Sequence, residues 1–317
     1  MWIAFYIALG IILLVLLSTL VCFLLVFYSP KRKKLKEDEF EIPPGEIYEK
    51  YKEEMIGWVR DSRNFPYKEM EIKSFDGLTL RGKYYECKAG APIELLFHGY
   101  RGNAERDLSG GVARCFALGR NALLINQRAS GDSDGHIITF GIKEHKDCLA
   151  WIDFAIEYFG KDVRLILTGL SMGASTVAMA SGKELPKNVE SILADCGYSS
   201  PKEIIVKIIK QIHLPVFIIY PLIKLGARLF GGFNLESYSP VEAVKNSHVP
   251  LIFIHGDDDD FVPCEMSERL YELCSSKHKK LVKIEGAGHG LAFPCDREKY
   301  LEALKSFETE YSTEKAI

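Results

Sequence analysis

The chain has 317 residues, 40 Lys+Arg against 43 Asp+Glu for a net charge of −3, and 47% hydrophobic residues. It is long enough to bury a sizeable core, and too apolar and too weakly charged to stay disordered. The near-neutral balance argues against a protein whose main task is to grip nucleic acid.

The apolar residues are unevenly spread. Residues 1–28 contain only Gly10, Ser18 and Thr19 outside the hydrophobic set, and no charged side chain. As a helix this run spans roughly 40 Å, enough to cross a hydrocarbon core of about 30 Å with tilt. Trp2, Tyr6 and Tyr28 stand where interfacial aromatics lie. A cleaved signal peptide would show a basic start, a shorter apolar stretch and a small-residue cleavage site, whereas this run ends in Phe27-Tyr28-Ser29-Pro30. Residues 1–29 are therefore expected to form a retained single-pass transmembrane helix. Lys31, Arg32, Lys33, Lys34 and Lys36 follow it, so the remainder sums to about −8. By the positive-inside rule the catalytic domain would be cytoplasmic. The eight cysteines show no CxxC and no metal-ligand spacing, as suits free thiols in a reducing compartment.

Residues 30–66 read as a juxtamembrane linker broken at Pro43-Pro44-Gly45. Between Glu46 and Arg60, Ile47, Tyr48, Tyr51, Met55, Ile56 and Trp58 recur at helical spacing. This predicts a helix packed on the domain edge, or alternatively lying on the membrane surface. From residue 67 to 312 the pattern alternates. Met70–Phe75 and Leu78–Tyr85 flank Asp76-Gly77, a hairpin signal. Short β-rich runs follow at Ile93–Phe97, Ala122–Ile125, Val163–Thr168, Ser191–Ala194, Leu251–His255 and Lys280–Ile284, most of them separated by helix-length segments. That rhythm predicts an α/β fold with a mostly parallel sheet covered on both faces. Residues 197–249 interrupt it with an apolar insertion, expected to be a helical lid over a site. Residues 313–317 are a tail.

Gly-x-Ser-x-Gly occurs twice. Gly169-Leu170-Ser171-Met172-Gly173 lies between a strand candidate and a run of small residues suited to a close-packed helix. A nucleophile elbow requires that context, because a sharp strand-to-helix turn exposes the serine and leaves no room for neighbouring side chains. Gly131-Asp132-Ser133-Asp134-Gly135 lies in a loop, and its carboxylates would oppose a developing oxyanion, so Ser133 is read as a turn residue. Ser171 is the candidate nucleophile and needs a base. Of the eight histidines, His289 sits in Gly286-Ala287-Gly288-His289-Gly290 after the last strand candidate, free to reach across the sheet. His255 lies inside a strand and reads as packed. A carboxylate must hold the imidazole, and Asp257-Asp258-Asp259-Asp260 follows a late strand. Periodicity does not say which of the four serves.

The order Ser171, a late Asp, then His289 resembles that of the α/β-hydrolase superfamily. His255-Gly256-Asp257-Asp258-Asp259-Asp260-Phe261-Val262-Pro263 is similar to the family pattern HGxxDxxVP, which implies Asp259 as the triad acid. Asp195 is the alternative, since some members carry the acid after an earlier strand. His98-Gly99-Tyr100-Arg101-Gly102-Asn103 resembles the HGxxGN oxyanion loop, implying the backbone N–H groups of Tyr100 and Met172 as an oxyanion hole and His98 as a structural brace. Gln127–Gly135 resembles the QRxxGxSxG loop, with Ser130 where many relatives have His. The resemblance runs over roughly residues 67–312 and is greatest to membrane-anchored bacterial hydrolases of the serine aminopeptidase-like group.

The expected activity is hydrolysis of a carboxylic ester through an acyl-enzyme, on a small-molecule or lipid-like acyl substrate such as a lipophilic ester or thioester. A serine peptidase and a membrane-tethered non-catalytic binding protein are the alternatives. Neither a metal nor an organic cofactor is expected, because the side chains supply every group the reaction needs.

Overall fold

Residues 1–31 and 35–315 are described in a computed structural model of the chain. Of the basic cluster, Arg32, Lys33 and Lys34 lie outside the described residues. Helix α1 (Trp2–Phe27) is, among the described residues, the one helix long and apolar enough to cross a bilayer. A 3-10 turn (Glu46–Tyr51) leads into α2 (Lys52–Asn64), then β1 (Tyr67–Lys73), β2 (Thr79–Tyr85) and β3 (Ile93–Phe97). There follow α3 (Ala104–Ala117), β4 (Asn121–Asn126), α4 (Glu144–Phe159), β5 (Leu165–Leu170), α5 (Met172–Ser181) and β6 (Val189–Asp195). The insertion holds α6 (Pro201–Gln211) and α7 (Val216–Leu229), and a short α8 (Pro240–Ala243) returns the chain to β7 (Leu251–Gly256). The chain closes with α9 (Cys264–Leu273), β8 (Lys279–Ile284), the short α10 (Ala292–Cys295) and α11 (Arg297–Lys315).

The eight strands form one sheet in the order β1-β2-β4-β3-β5-β6-β7-β8. Asp76-Gly77 turns the antiparallel β1–β2 hairpin, β2 also pairs antiparallel with β4, and every pairing from β3–β4 onward is parallel. Parallel strands covered on both faces must be apolar throughout, and β3, β5 and β7 are buried along nearly their whole length. Tyr48, Tyr51, Met55 and Trp58 pack on the domain edge, where Tyr48 and Met55 form a small core with Leu291, whereas Ile47 is half exposed.

A charge cluster is built into that interior. Glu94 on β3 is fully buried and accepts from Arg114 at 2.6 Å, Arg120 at 2.6 Å and Thr168 at 3.0 Å. Burial disfavours its ionised form, but the two guanidiniums outweigh this and hold its carboxyl below the usual range. Glu94→Ala would leave two buried arginines without this counter-charge. We expect it to cost about 3–5 kcal/mol and to lower Tm by on the order of 10 °C. A differential scanning calorimetry trace within about 2 °C of wild type would show that the cluster is not structural.

Candidate active site

The elbow is dictated by contact. A Cβ on Gly169 would lie 2.1 Å from the Gly173 backbone, and one on Gly173 would lie 2.0 Å from the carbonyl of Phe97. Ser171 between them takes φ 56°, ψ −115°, a conformation costly for a non-glycine residue. The Ser171 N–H donating to the Asp195 carbonyl at 2.8 Å helps hold it. The serine thus stands at the end of β5 and the start of α5, hydroxyl outward.

His289 reaches it from the glycine-rich loop, where Gly286 and Gly290 both adopt positive φ. Its Nε2 lies 2.8 Å from Ser171 Oγ, and its Nδ1 lies 2.7 Å from Asp259 Oδ2. Of the four consecutive aspartates, Asp259 is the one that meets the imidazole. Its Oδ1 accepts the N–H groups of Phe261 (2.9 Å) and Val262 (2.8 Å), which turn the carboxylate inward. Burial acts to raise the carboxyl's pKa. Hydrogen bonds from His255 and His289 and the Val262 amide prevail, keeping Asp259 well below the usual carboxylate range and therefore ionised. Asp195, the alternative acid, faces elsewhere. Its Oδ2 accepts from the Tyr300 hydroxyl at 2.7 Å, and burial pushes its pKa up.

Beside the serine, a turn closed by Gly102 N–H to Gly99 O leaves the Tyr100 N–H outside its own hydrogen bond. Met172 opens α5, so its N–H has no acceptor within the helix. His98 braces this loop. Its Nδ1 lies 2.8 Å from Gly99 O and its Nε2 accepts from Gln127 N at 3.0 Å, an arrangement that assigns the proton to Nδ1. Ser130 donates to the carbonyl of Gly102 and so ties the neighbouring loop to the Gly99–Gly102 turn. Ser133 is buried and bonded to the backbone of Arg81 and Asn126, as a turn residue should be. Arg128 pairs with Asp76 and Asp147, pinning that loop to the hairpin.

Two supports had no clear signal in the sequence. Tyr48, from the linker, donates its hydroxyl to the backbone carbonyl of His289 at 3.0 Å. His255 is buried with Nδ1 2.6 Å from Ser267 Oγ and Nε2 2.8 Å from the Val262 carbonyl and 3.2 Å from Asp259 Oδ2. Its place at the head of the HGxxDxxVP-like segment, four residues before Asp259, was the available hint. Cys196 lies within metal-ligand distance of Asp259 and His289. Burial raises its thiol pKa well above the ordinary value, and the other two groups are engaged with each other, so the trio makes a poor cation site.

A cavity of about 490 Å³ opens beside Ser171 and His289 and runs between the sheet and α3. Its roof comes from the linker, through Ile47, Tyr48, Met55 and Trp58, and its far wall includes Leu96 and Phe293. Among the described residues, none from 197–249 lines the cavity. Ile204, Ile205, Tyr220 and Ile223 instead pack with Phe23, Phe27 and Phe140 in a second core at the end of α1. The inward face of the insertion is apolar because it covers that helix end.

A model of the prolyl oligopeptidase family matches residues 228–315, the stretch carrying Asp259 and His289. The Bacillus subtilis protein YqkD is 26% identical over 191 residues, 60% of this chain, and the match spans 62% of YqkD's own length. Among solved structures, the Pyrococcus furiosus esterase Pf2001 superposes with TM-score 0.65 at 22% identity, over 87% of this chain and 99% of the esterase. The Pyrococcus horikoshii acylaminoacyl peptidase superposes with TM-score 0.56 at 18% identity, over 78% of this chain and 41% of the peptidase. With a mostly parallel eight-stranded sheet, a strand-to-helix turn at Ser171 and these structural neighbours, the chain has the α/β-hydrolase fold.

Proposed function

We propose that the protein is a serine hydrolase that cleaves a carboxylic ester or thioester with a lipophilic acyl group. The observation that carries this reading is His289 bridging Ser171 and Asp259 at the mouth of a largely apolar cavity. Ser171 Oγ attacks the acyl carbonyl as His289 Nε2 takes its proton, and Asp259 stabilises the imidazolium. The N–H groups of Tyr100 and Met172 receive the oxyanion, each contributing roughly 3–4 kcal/mol to lowering the barrier. His289 then protonates the leaving alcohol or thiol. Water attacks the acyl-enzyme with His289 as base, releasing the acid and restoring Ser171.

Each methylene buried in such a cavity contributes about 0.8 kcal/mol. From p-nitrophenyl acetate to octanoate, kcat/KM is expected to rise at least about tenfold, because only part of the chain is sequestered in the transition state. A clear preference for acetate would remove the lipophilic reading. The prolyl oligopeptidase match favours a peptidase as second reading. Aminoacyl p-nitroanilides turned over faster than every ester would select it.

Helix α1 we read as a single-pass anchor with the catalytic domain on the cytoplasmic side. Its length, its exposed apolar surface over residues 2–17 and the positive residues after it support this. Small-molecule or lipid-like acyl substrates would then be drawn from, or near, the bilayer.

A further inference from the structure

Helix α1 does not stand clear of the domain along its whole length. Residues 2–17 are exposed, whereas Thr19, Phe23 and Phe27 are buried against α7 and its surroundings. The contact with α7 is intimate. A Cβ on Gly226 would come within 2.9 Å of Phe23 Cβ and 3.0 Å of the Thr19 carbonyl, so glycine is what lets the two helices meet. Phe230 and Phe23 rings lie 5.6 Å apart, and Phe233 and Phe27 rings 5.3 Å apart.

The free part of α1 is therefore too short. The sixteen consecutive exposed residues 2–17 rise about 24 Å, and a hydrocarbon core is about 30 Å thick. The missing length, about 6 Å, corresponds to about four more residues and carries the hydrocarbon boundary to the level of residues 19–23. That is the level at which Gly226 and Phe230 meet the helix.

The outward face of α7 suits such a position. Tyr220, Ile223, Gly226 and Ala227 face the protein, yet Phe217 is 81% exposed, Leu229 54%, Ile218 47% and Leu225 37%. The one exposed charge on α7 is Arg228 in the last turn, whose long side chain can carry its guanidinium to the headgroups, while Lys224 is paired with Glu236. Exposed apolar surface of this kind, continuous with a helix that itself contacts lipid, marks a membrane surface.

We propose that the outer face of α7 is a membrane-inserted surface of the catalytic domain, embedded among the acyl chains beside α1, so that the domain sits partly sunk in the bilayer. This rests on α1 spanning the membrane.

The test uses the full chain in phosphatidylcholine vesicles. Leu229→Trp and, as an independent variant, Leu225→Trp each add a fluorophore beside Gly226. Tyr158→Trp serves as control, because Tyr158 is exposed on α4, which packs on α5 and β1. Subtracting wild-type emission isolates the added tryptophan. In vesicles of phosphatidylcholine brominated high on the acyl chains, emission at positions 229 and 225 should fall by about half, and that of the control should not change. Alkaline carbonate extraction reads the anchor separately. Protein retained in the membrane pellet with unquenched 229 and 225 signals overturns the sunken surface and leaves the anchor standing. A blue-shifted but unquenched signal means that a second copy or another protein covers the face, and overturns it equally. Protein released by carbonate overturns both.

Discussion

Ser171→Ala is expected to lower kcat for a p-nitrophenyl ester by about five orders of magnitude, to near the level that the oxyanion donors and binding alone sustain. The hydroxyl is the atom His289 faces at 2.8 Å, and among the described residues the second Gly-x-Ser-x-Gly serine has its hydroxyl bonded to Asn126 O and Arg81 N. Ser133 therefore has no route to substitute. Covalent labelling by a fluorophosphonate should disappear with the activity, and peptide mass mapping of the labelled wild type should place the adduct on the segment carrying Ser171. Folding should be unaffected, because alanine removes one oxygen and keeps the strained backbone. Esterase activity within tenfold of wild type, or labelling that persists in the variant, would refute the assignment of the nucleophile.

Asp259→Asn should cost about 10⁴-fold in kcat while the fold survives. Asp259 Oδ1 accepts the amides of Phe261 and Val262, so the asparagine carbonyl takes that place and its NH₂ faces the two histidines. An NH₂ donating to His289 Nδ1 moves the ring proton to Nε2, where the base is needed. The imidazole then cannot accept from Ser171. Asp259→Ala should lose activity similarly but also leave those amides unpaired, costing a further 1–3 kcal/mol or about that for each one that stays buried. Stopped-flow acylation rates and urea denaturation of the two variants separate the effects. An Asn variant within tenfold of wild type would mean that Asp259 does not set the tautomer.

The parts of this site that were legible in the sequence share a local cause. The elbow could be recognised because Gly169 and Gly173 are required by contacts four residues apart and with the adjoining strand. The hairpin follows from Asp76-Gly77, and the strands from continuous apolar runs that only a covered parallel sheet accepts. His289 could be singled out because a glycine-rich loop after the last strand leaves its side chain free.

Choices among chemically equal candidates were not local. Four consecutive aspartates have the same composition in any window. Asp259 is distinguished by Phe261 and Val262 amides that turn it inward and by an imidazole 30 positions away. Asp195 is removed from contention by Tyr300, on the last helix. The roof of the cavity comes from the linker and not from the apolar insertion, because hydrophobic patterning reports that a face is buried but not what buries it. The length of α1 is subject to the same limit. Sequence alone marked residues 1–29 as one apolar helix and placed Ser171, an Asp after a late strand and His289 in that chain order. Only the tertiary structure decided that the last third of that helix belongs to the domain, since burial of Thr19, Phe23 and Phe27 depends on partners some 200 residues further along the chain.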